Sequence, residues 1–244
     1  MKQSRSFFTA LLIIAATMFA ASCNNGDEKT SSTETVKTDS PATKTTEPAT
    51  PAKPRNIVTI KHKVADFAKW KLAYDADDTA RVAYGLHNYV VSRGLKDSSM
   101  VMVALIMDDV NKAKEFAARP ALKTIMQKAG VIGAPAIFYN DIQFFDTSVA
   151  VGPDRVSIRH SVKDWAAWKK EFDSHKQARM DAGLVDRVVS HEIGDDKQVS
   201  VVCGIADMKK AEAFISSKDL KDKMAAAGVV GMPDIFFYKI VQRY

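Results

Sequence analysis

The chain has 244 residues, of which 46% are hydrophobic and 26% charged, enough for two small globular domains. Its formal charge of +6 comes from lysines and arginines interspersed with acids. No basic run is present, so the footprint of a nucleic-acid-binding protein is lacking.

Residues 1–22 read as a secretory signal. Lys2 and Arg5 precede a short apolar stretch, Phe7 to Ala20, and the small residues Ala20-Ala21-Ser22 lead into Cys23. The apolar stretch is too short for a comfortable transmembrane span. Small residues followed at once by cysteine resemble the lipobox of bacterial lipoproteins, with Ala20 where that pattern usually carries leucine. The resemblance implies cleavage before Cys23 and lipid attachment to it, hence a membrane anchor. Asn24 is not the aspartate of inner-membrane retention, and Asp27-Glu28 loosely resembles an acidic export tag. The expected location is therefore the cell envelope, at the outer membrane. Residues 23–54 hold the lipidated cysteine and a stretch rich in Thr, Ser, Pro, Lys and Glu. Such a segment cannot bury enough apolar surface to offset its ordering entropy and reads as a disordered tether. With Cys23 consumed, Cys203 is the one remaining thiol, and no internal disulfide is expected.

The rest of the chain is one unit written twice, over 55–146 and 154–244. His62 and His160, Trp70 and Trp168, Arg81 and Arg179, Gly85 and Gly183, and Pro135 and Pro233 each lie 98 positions apart, without a gap. In each copy the elements follow the same order. Ile57 to Lys63 alternates as a strand with one buried face. Asp66 and Asp164 cap a helix that runs to Gly85 or Gly183, where glycine supplies the left-handed stop. Tyr89 to Ser92 and Arg187 to Ser190 form a second strand. Turns at Lys96 to Ser99 and Gly194 to Lys197 lead to a third, Met100 to Met107 in copy one. Asp109 to Ala129 is a second helix, breakable at Pro120 and closed by Gly130, and Ala136 to Phe145 is the fourth strand.

This order, β-α-β-β-α-β, is the ferredoxin-like unit of the α+β class. Its antiparallel sheet has helices on one face and leaves the other bare, so two fused copies can cover each other. The helix pattern Asp-Phe/Trp-x-x-Trp-Lys ending in Arg-x-x-x-Gly, together with Ala-Gly-Val-Ile/Val-Gly-x-Pro, resembles the dimeric α+β barrels, which include antibiotic-biosynthesis-type monooxygenases. The resemblance covers about 56–145 and 154–243. It implies two tandem ferredoxin-like units packed as an intrachain pseudo-dimeric barrel. It does not imply a reaction, because the superfamily also includes haem enzymes, isomerases and proteins without known activity.

Strand parity sorts the candidate site residues. His62 and His160 share the apolar face with Val58, Ile60 and their equivalents. There they read as satisfied structural histidines; a bulge would turn them into a haem ligand or general base. The opposite face carries Thr59 and Lys61 in copy one and Ser157 and Arg159 in copy two, with Met102, Ala104, Gln198 and Ser200 from the third strands. In a closed barrel these would line the lumen, where Lys61 and Arg159 would favour an anionic ligand unless they sit in water at the rim. On a helical wheel Arg81 falls on the stripe of Phe67, Trp70 and Tyr74, and Arg179 on the equivalent stripe. Each reads as a structural clamp or an anion site, with Asp77 or His175 as neighbour. The tryptophans read as core anchors, and Cys203, which replaces Leu105, as core packing. No metal-binding, nucleophile-elbow or phosphate-loop pattern occurs, and no metal is expected.

Three functions remain, one of them a purely structural envelope module. The first is binding of a small ligand, anionic if the lumen cations face it, or of an envelope protein partner, without chemistry and without a cofactor. The alternative is an enzyme of the cofactor-free monooxygenase type or one that binds haem. Where the copies disagree on the inner face is where a site is expected.

Overall fold

The computed structural model describes residues 56–244, which fall in one compact unit; the signal, Cys23 and the tether lie outside the described residues. Copy one contains β1 (Asn56–Val64), α1 (Phe67–Ala76), α2 (Asp78–Ala83), β2 (Leu86–Gly94), β3 (Met100–Met107), α3 (Val110–Ala118), α4 (Pro120–Lys128) and β4 (Val131–Phe145). Copy two repeats the series as β5 (Asp154–Val162), α5 (Trp165–Ser174), α6 (Lys176–Asp181), β6 (Leu184–Glu192), β7 (Asp195–Ile205), α7 (Met208–Ser216), α8 (Lys218–Ala226) and β8 (Val229–Arg243).

Local signals explain most boundaries. The side chains of Asp66 and Asp164 accept from the backbone N–H groups of Lys69 and Ala167, closing the first turn of α1 and α5. Pro120 stands at the start of α4, where its missing N–H costs nothing. Gly183 has φ +71°, and a Cβ there would lie 2.8 Å from Cβ of Asp207. Handedness and crowding thus both require glycine after α6. Several boundaries differ from the sequence reading, the second strands among them, which begin at Leu86 and Leu184 and not at Tyr89 and Arg187. The first helix of each copy is broken, at Asp77 and at His175, into two helices that both precede the glycine. The fourth strands begin at Val131 and Val229, earlier than expected, because glycine-containing segments still pair with β1 and β5 beyond register shifts. The hairpin of copy two turns at Ile193 and Gly194, so Asp195 to Lys197 already belong to β7.

The eight strands close into a barrel in the order β1-β3-β2-β8-β5-β7-β6-β4, all neighbours antiparallel. A step of four strands carries each element onto its repeat, which places the two-fold relation between copies along the barrel axis. The long fourth strands join the halves. β4 pairs with β1 through its first part and with β6 through its last, and β8 does the same with β5 and β2. Gln143 and Val241 are skipped in the register at the crossover, bulges that re-aim the strand end. The architecture is α+β: two ferredoxin-like units forming one intrachain pseudo-dimeric barrel with helices outside.

Each half has its own core between sheet and helices. In copy one it gathers Trp70, Leu86, Val91, Val101 and Phe116, and in copy two Trp168, Leu184, Val189, Val199 and Cys203. A third cluster, Ile57, Val90, Ala104 and Ile142 of copy one, lies inside the barrel, with Val188 and Ile240 of copy two packed against it. Cys203 is buried, and burial pushes its thiol well above the ordinary range, so it acts as a small apolar side chain.

Candidate functional site

Two kinds of space flank the sheet. Outside it, under the helices, each copy has a small cavity of about 80–90 Å³. Inside the barrel is one cavity of about 260 Å³.

The outer cavities contain the matched histidines and arginines. His62 and His160 are buried and lie 5.5 Å, ring to ring, from Trp70 and Trp168. Strand parity places them correctly, but neither ring nitrogen of either histidine has a hydrogen-bond partner, so they are not satisfied. Burial lowers both to about 4, and the two imidazoles are neutral. Arg179 is fully clamped. Its Nε and Nη2 donate to the two carboxylate oxygens of Asp186 at 2.8 and 2.7 Å, and Nη1 donates to the Phe172 carbonyl at 2.6 Å. The guanidinium stacks 3.6 Å from the centre of the Phe172 ring. Arg81 is held more loosely, by Asn88 Oδ1 and Asp78 at 3.2 Å each, over the Tyr74 ring. The expected neighbours are not the partners: Asp77 pairs with Arg119, and His175 begins α6. Both arginines therefore brace the helices against the sheet, away from the lumen.

The lumen contains Thr59, Lys61, Met102, Ala104, Ser157, Arg159 and Ser200, as parity required, while Gln198 turns to Ser161. Lys61 and Arg159 sit at one end, and each has an acid. Lys61 pairs with Asp234 of the other copy, and Arg159 pairs with Glu192 while stacking 4.1 Å over the Phe138 ring. The positions equivalent to those acids are Ala136 and Gly94. Both acids therefore come from copy two, and copy one has neither. Nη1 of Arg159 remains buried without a partner.

The opposite end was not anticipated. Because β1, β2, β5 and β6 run one way, it gathers their starts and the last residues of β4 and β8. Copy two contributes Arg155, Arg187 and Arg243, and copy one contributes Ile57, Tyr89 and Phe145 at the matched positions. Arg155 and Arg187 are 5% and 6% exposed, and among the described residues neither has a carboxylate ion-pair partner. Their acceptors are backbone carbonyls of the connection 146–153 and its neighbour. Arg155 Nη1 donates to Gly152 at 2.5 Å and Asp154 at 2.7 Å, and Arg187 donates to Asp146 at 3.2 Å and to Val149. Nε of Arg187 is buried without an acceptor. Arg243 stands exposed at the rim. Burial, and then the positive charges of Arg187 and Arg243, push Arg155 below its ordinary value, against the opposing pull of Tyr238. Burial also raises the phenols of Tyr89 and Tyr238. A buried cation normally pairs with an acid; among the described residues neither of these two forms an ion pair, and the Asp146 carboxylate is the acid that feels the charge of Arg187.

Chemically this end is electropositive, with guanidinium N–H groups facing the mouth of the cavity. The residues lining it include no histidine or cysteine, and no nucleophile stands against a base. Among the described residues no group of His, Cys, Asp or Glu could hold a metal ion. Haem does not fit the cavities present. The lumen is below the size range of drug-like ligand pockets and offers no histidine or thiolate, and the cavities beside His62 and His160 are smaller still.

No family model matches the chain, and no curated protein does. Solved structures do share its shape. An anthrone oxidase-like protein superposes with a TM-score of 0.56 at 14% identity, over 79% of this chain and 94% of that one. A candidate monooxygenase from Fusobacterium nucleatum gives 0.52 at 12%, over 77% and 93%. A candidate chlorite dismutase gives 0.50 at 11%, over 77% and 95%. At these identities the likeness establishes the fold, the ferredoxin-like dimeric α+β barrel, and leaves the reaction open.

Proposed function

We propose that this protein is an exported lipoprotein, anchored through Cys23, whose barrel binds a small organic anion without transforming it. The observation that carries the reading is the pair Arg155 and Arg187: two buried guanidiniums beside a cavity, held by carbonyls alone. Desolvating a cation without an acid is costly, and an anion arriving there relieves that cost with charge-assisted hydrogen bonds. Ordinary core packing needs neither arginine, since copy one fills the same two positions with Ile57 and Tyr89.

The reading is tested on the full chain in detergent by calorimetric titration with small carboxylates. Binding is expected, and Arg155→Leu with Arg187→Leu should weaken it by more than about tenfold. Equal affinity in wild type and double variant would remove the lumen from consideration. Anchoring has its own test. Cys23→Ala should shift the protein from the membrane to the soluble fraction of exporting cells; unchanged membrane recovery refutes the anchor.

The competing reading, a haem enzyme, draws on the unpartnered nitrogens of His62 and His160. It requires an outer cavity to open around the ring, and a Soret band after haemin addition that is lost in His62→Phe and His160→Phe would favour it.

A further inference from the structure

The mouth of the lumen is two-faced. The copies are related by rotation about the barrel axis, so matched residues stand across the mouth from one another. On that end the rotation exchanges Arg155 for Ile57, Arg187 for Tyr89 and Arg243 for Phe145. One wall is cationic, and the opposite wall is aromatic and aliphatic. Below the aromatic wall the interior continues as the apolar cluster of Ile57, Val90, Ala104 and Ile142, with Tyr89 and Phe145 packed against it, ring centres 6.3 Å apart.

We infer that the ligand class is a compact monocarboxylate with an apolar body, its carboxylate on Arg155 and Arg187 and its body against Tyr89, Phe145 and Ile142. The inference rests on the anion-binding reading above and narrows it. Three observations fix the class. Carbonyls of residues 146–154 take Nη1 of Arg155 and one N–H from each amino group of Arg187, and the remaining edges, Nε of Arg187 among them, keep paired N–H groups for an anion. Such a set matches the two coplanar oxygens of a carboxylate. A phosphate would press its remaining oxygens against Ile57 and Phe145, where they lose water and gain no donor. At the far end, Lys61 and Arg159 each already have an ion pair, with Asp234 and Glu192, so a second carboxylate on the same ligand meets no unpaired cation and a single unpartnered donor, Nη1 of Arg159. The cavity volume of about 260 Å³ keeps the body small. The connection 146–153 joins Phe145 to Asp154 across this mouth and places Val149, Ala150 and Val151 on the cavity, so the apolar body also meets a third apolar surface.

The test is a matched series titrated into the full chain in detergent: phenylacetate, its neutral isostere phenylacetamide, the dianion 1,4-phenylenediacetate, and inorganic phosphate. Phenylacetate should bind about tenfold or more tightly than each of the other three. Arg187→Lys, which keeps the charge and loses the fork, should weaken phenylacetate by about tenfold. Phe145→Ala should weaken phenylacetate without weakening phosphate, a pattern that misfolding would not give. If phosphate or the dianion binds as tightly as phenylacetate and depends on Arg187, the class is overturned and the anion site stands. If phenylacetamide matches phenylacetate, or if no anion in the series binds, the class and the anion-binding reading fall together.

Discussion

Arg179→Met is expected to lower the unfolding free energy by about 3–5 kcal/mol, the cost of leaving a buried carboxylate without its partner. Asp186 and Arg179 are 11% and 8% exposed and joined by two parallel hydrogen bonds, so the variant leaves Asp186 charged in a nearly dry environment. The matched change in copy one is the control. Arg81→Met leaves Asn88, which is neutral, and Asp78, which is half exposed and can be solvated. Its cost should be about 1–2 kcal/mol, near that of a lost hydrogen bond and stacking contact. Urea unfolding of both variants measures the contrast. Equal losses would show that packing on Tyr74 and Phe172, and not charge compensation, fixes these arginines.

The contrast also shows what a single sequence can disclose. The repeat, the element order and the helix caps were readable because each depends on local chemistry: Asp66 and Asp164 as caps, Gly85 and Gly183 as left-handed stops. Closure of the barrel followed from one bare sheet face. Lumen parity held for Thr59, Lys61, Ser157 and Arg159 because it needs only the direction of one strand. Their partners were not readable. Asp234 reaches Lys61 from the other copy, and the register between copies is a tertiary property. The break at Asp77 was missed because a helical wheel assumes continuity, yet Arg81 still reaches the Tyr74 ring from the next helix. Arg155 was overlooked because the apolar alternation of its strand starts one residue later, at Val156. The signal was nevertheless present. Arg155, Ser157 and Arg159 share one parity, and three apolar or aromatic positions of copy one become arginine in copy two.

The second large effect is acid sensitivity. The neutral forms of His62 and His160 are held at about 4 in the folded chain against an ordinary value of 6.5. The folded state therefore binds fewer protons than the unfolded state across that window. Stability is full above about pH 6.5 and falls as pH drops towards 4. Each histidine should cost about 2 kcal/mol by pH 5 and about 3 kcal/mol by pH 4. Together they exceed half the stability of many domains. Unfolding followed at pH 7, 5 and 4 should show this slope, and His62→Phe with His160→Phe should flatten it, whatever that variant's stability at pH 7. A slope unchanged in the double variant would assign acid sensitivity to the carboxylates instead.

The central claim is that the barrel holds an anion between the arginines of one copy and the aromatic wall of the other. A crystal structure with 4-bromophenylacetate tests it most directly, since the bromine marks the body and the geometry marks the carboxylate. Carboxylate oxygens are expected within hydrogen-bond distance of Arg155 and Arg187, with bromine in the lumen beside Ile142. Bromine density under the helices beside His62 or His160, with the lumen unoccupied, would contradict it.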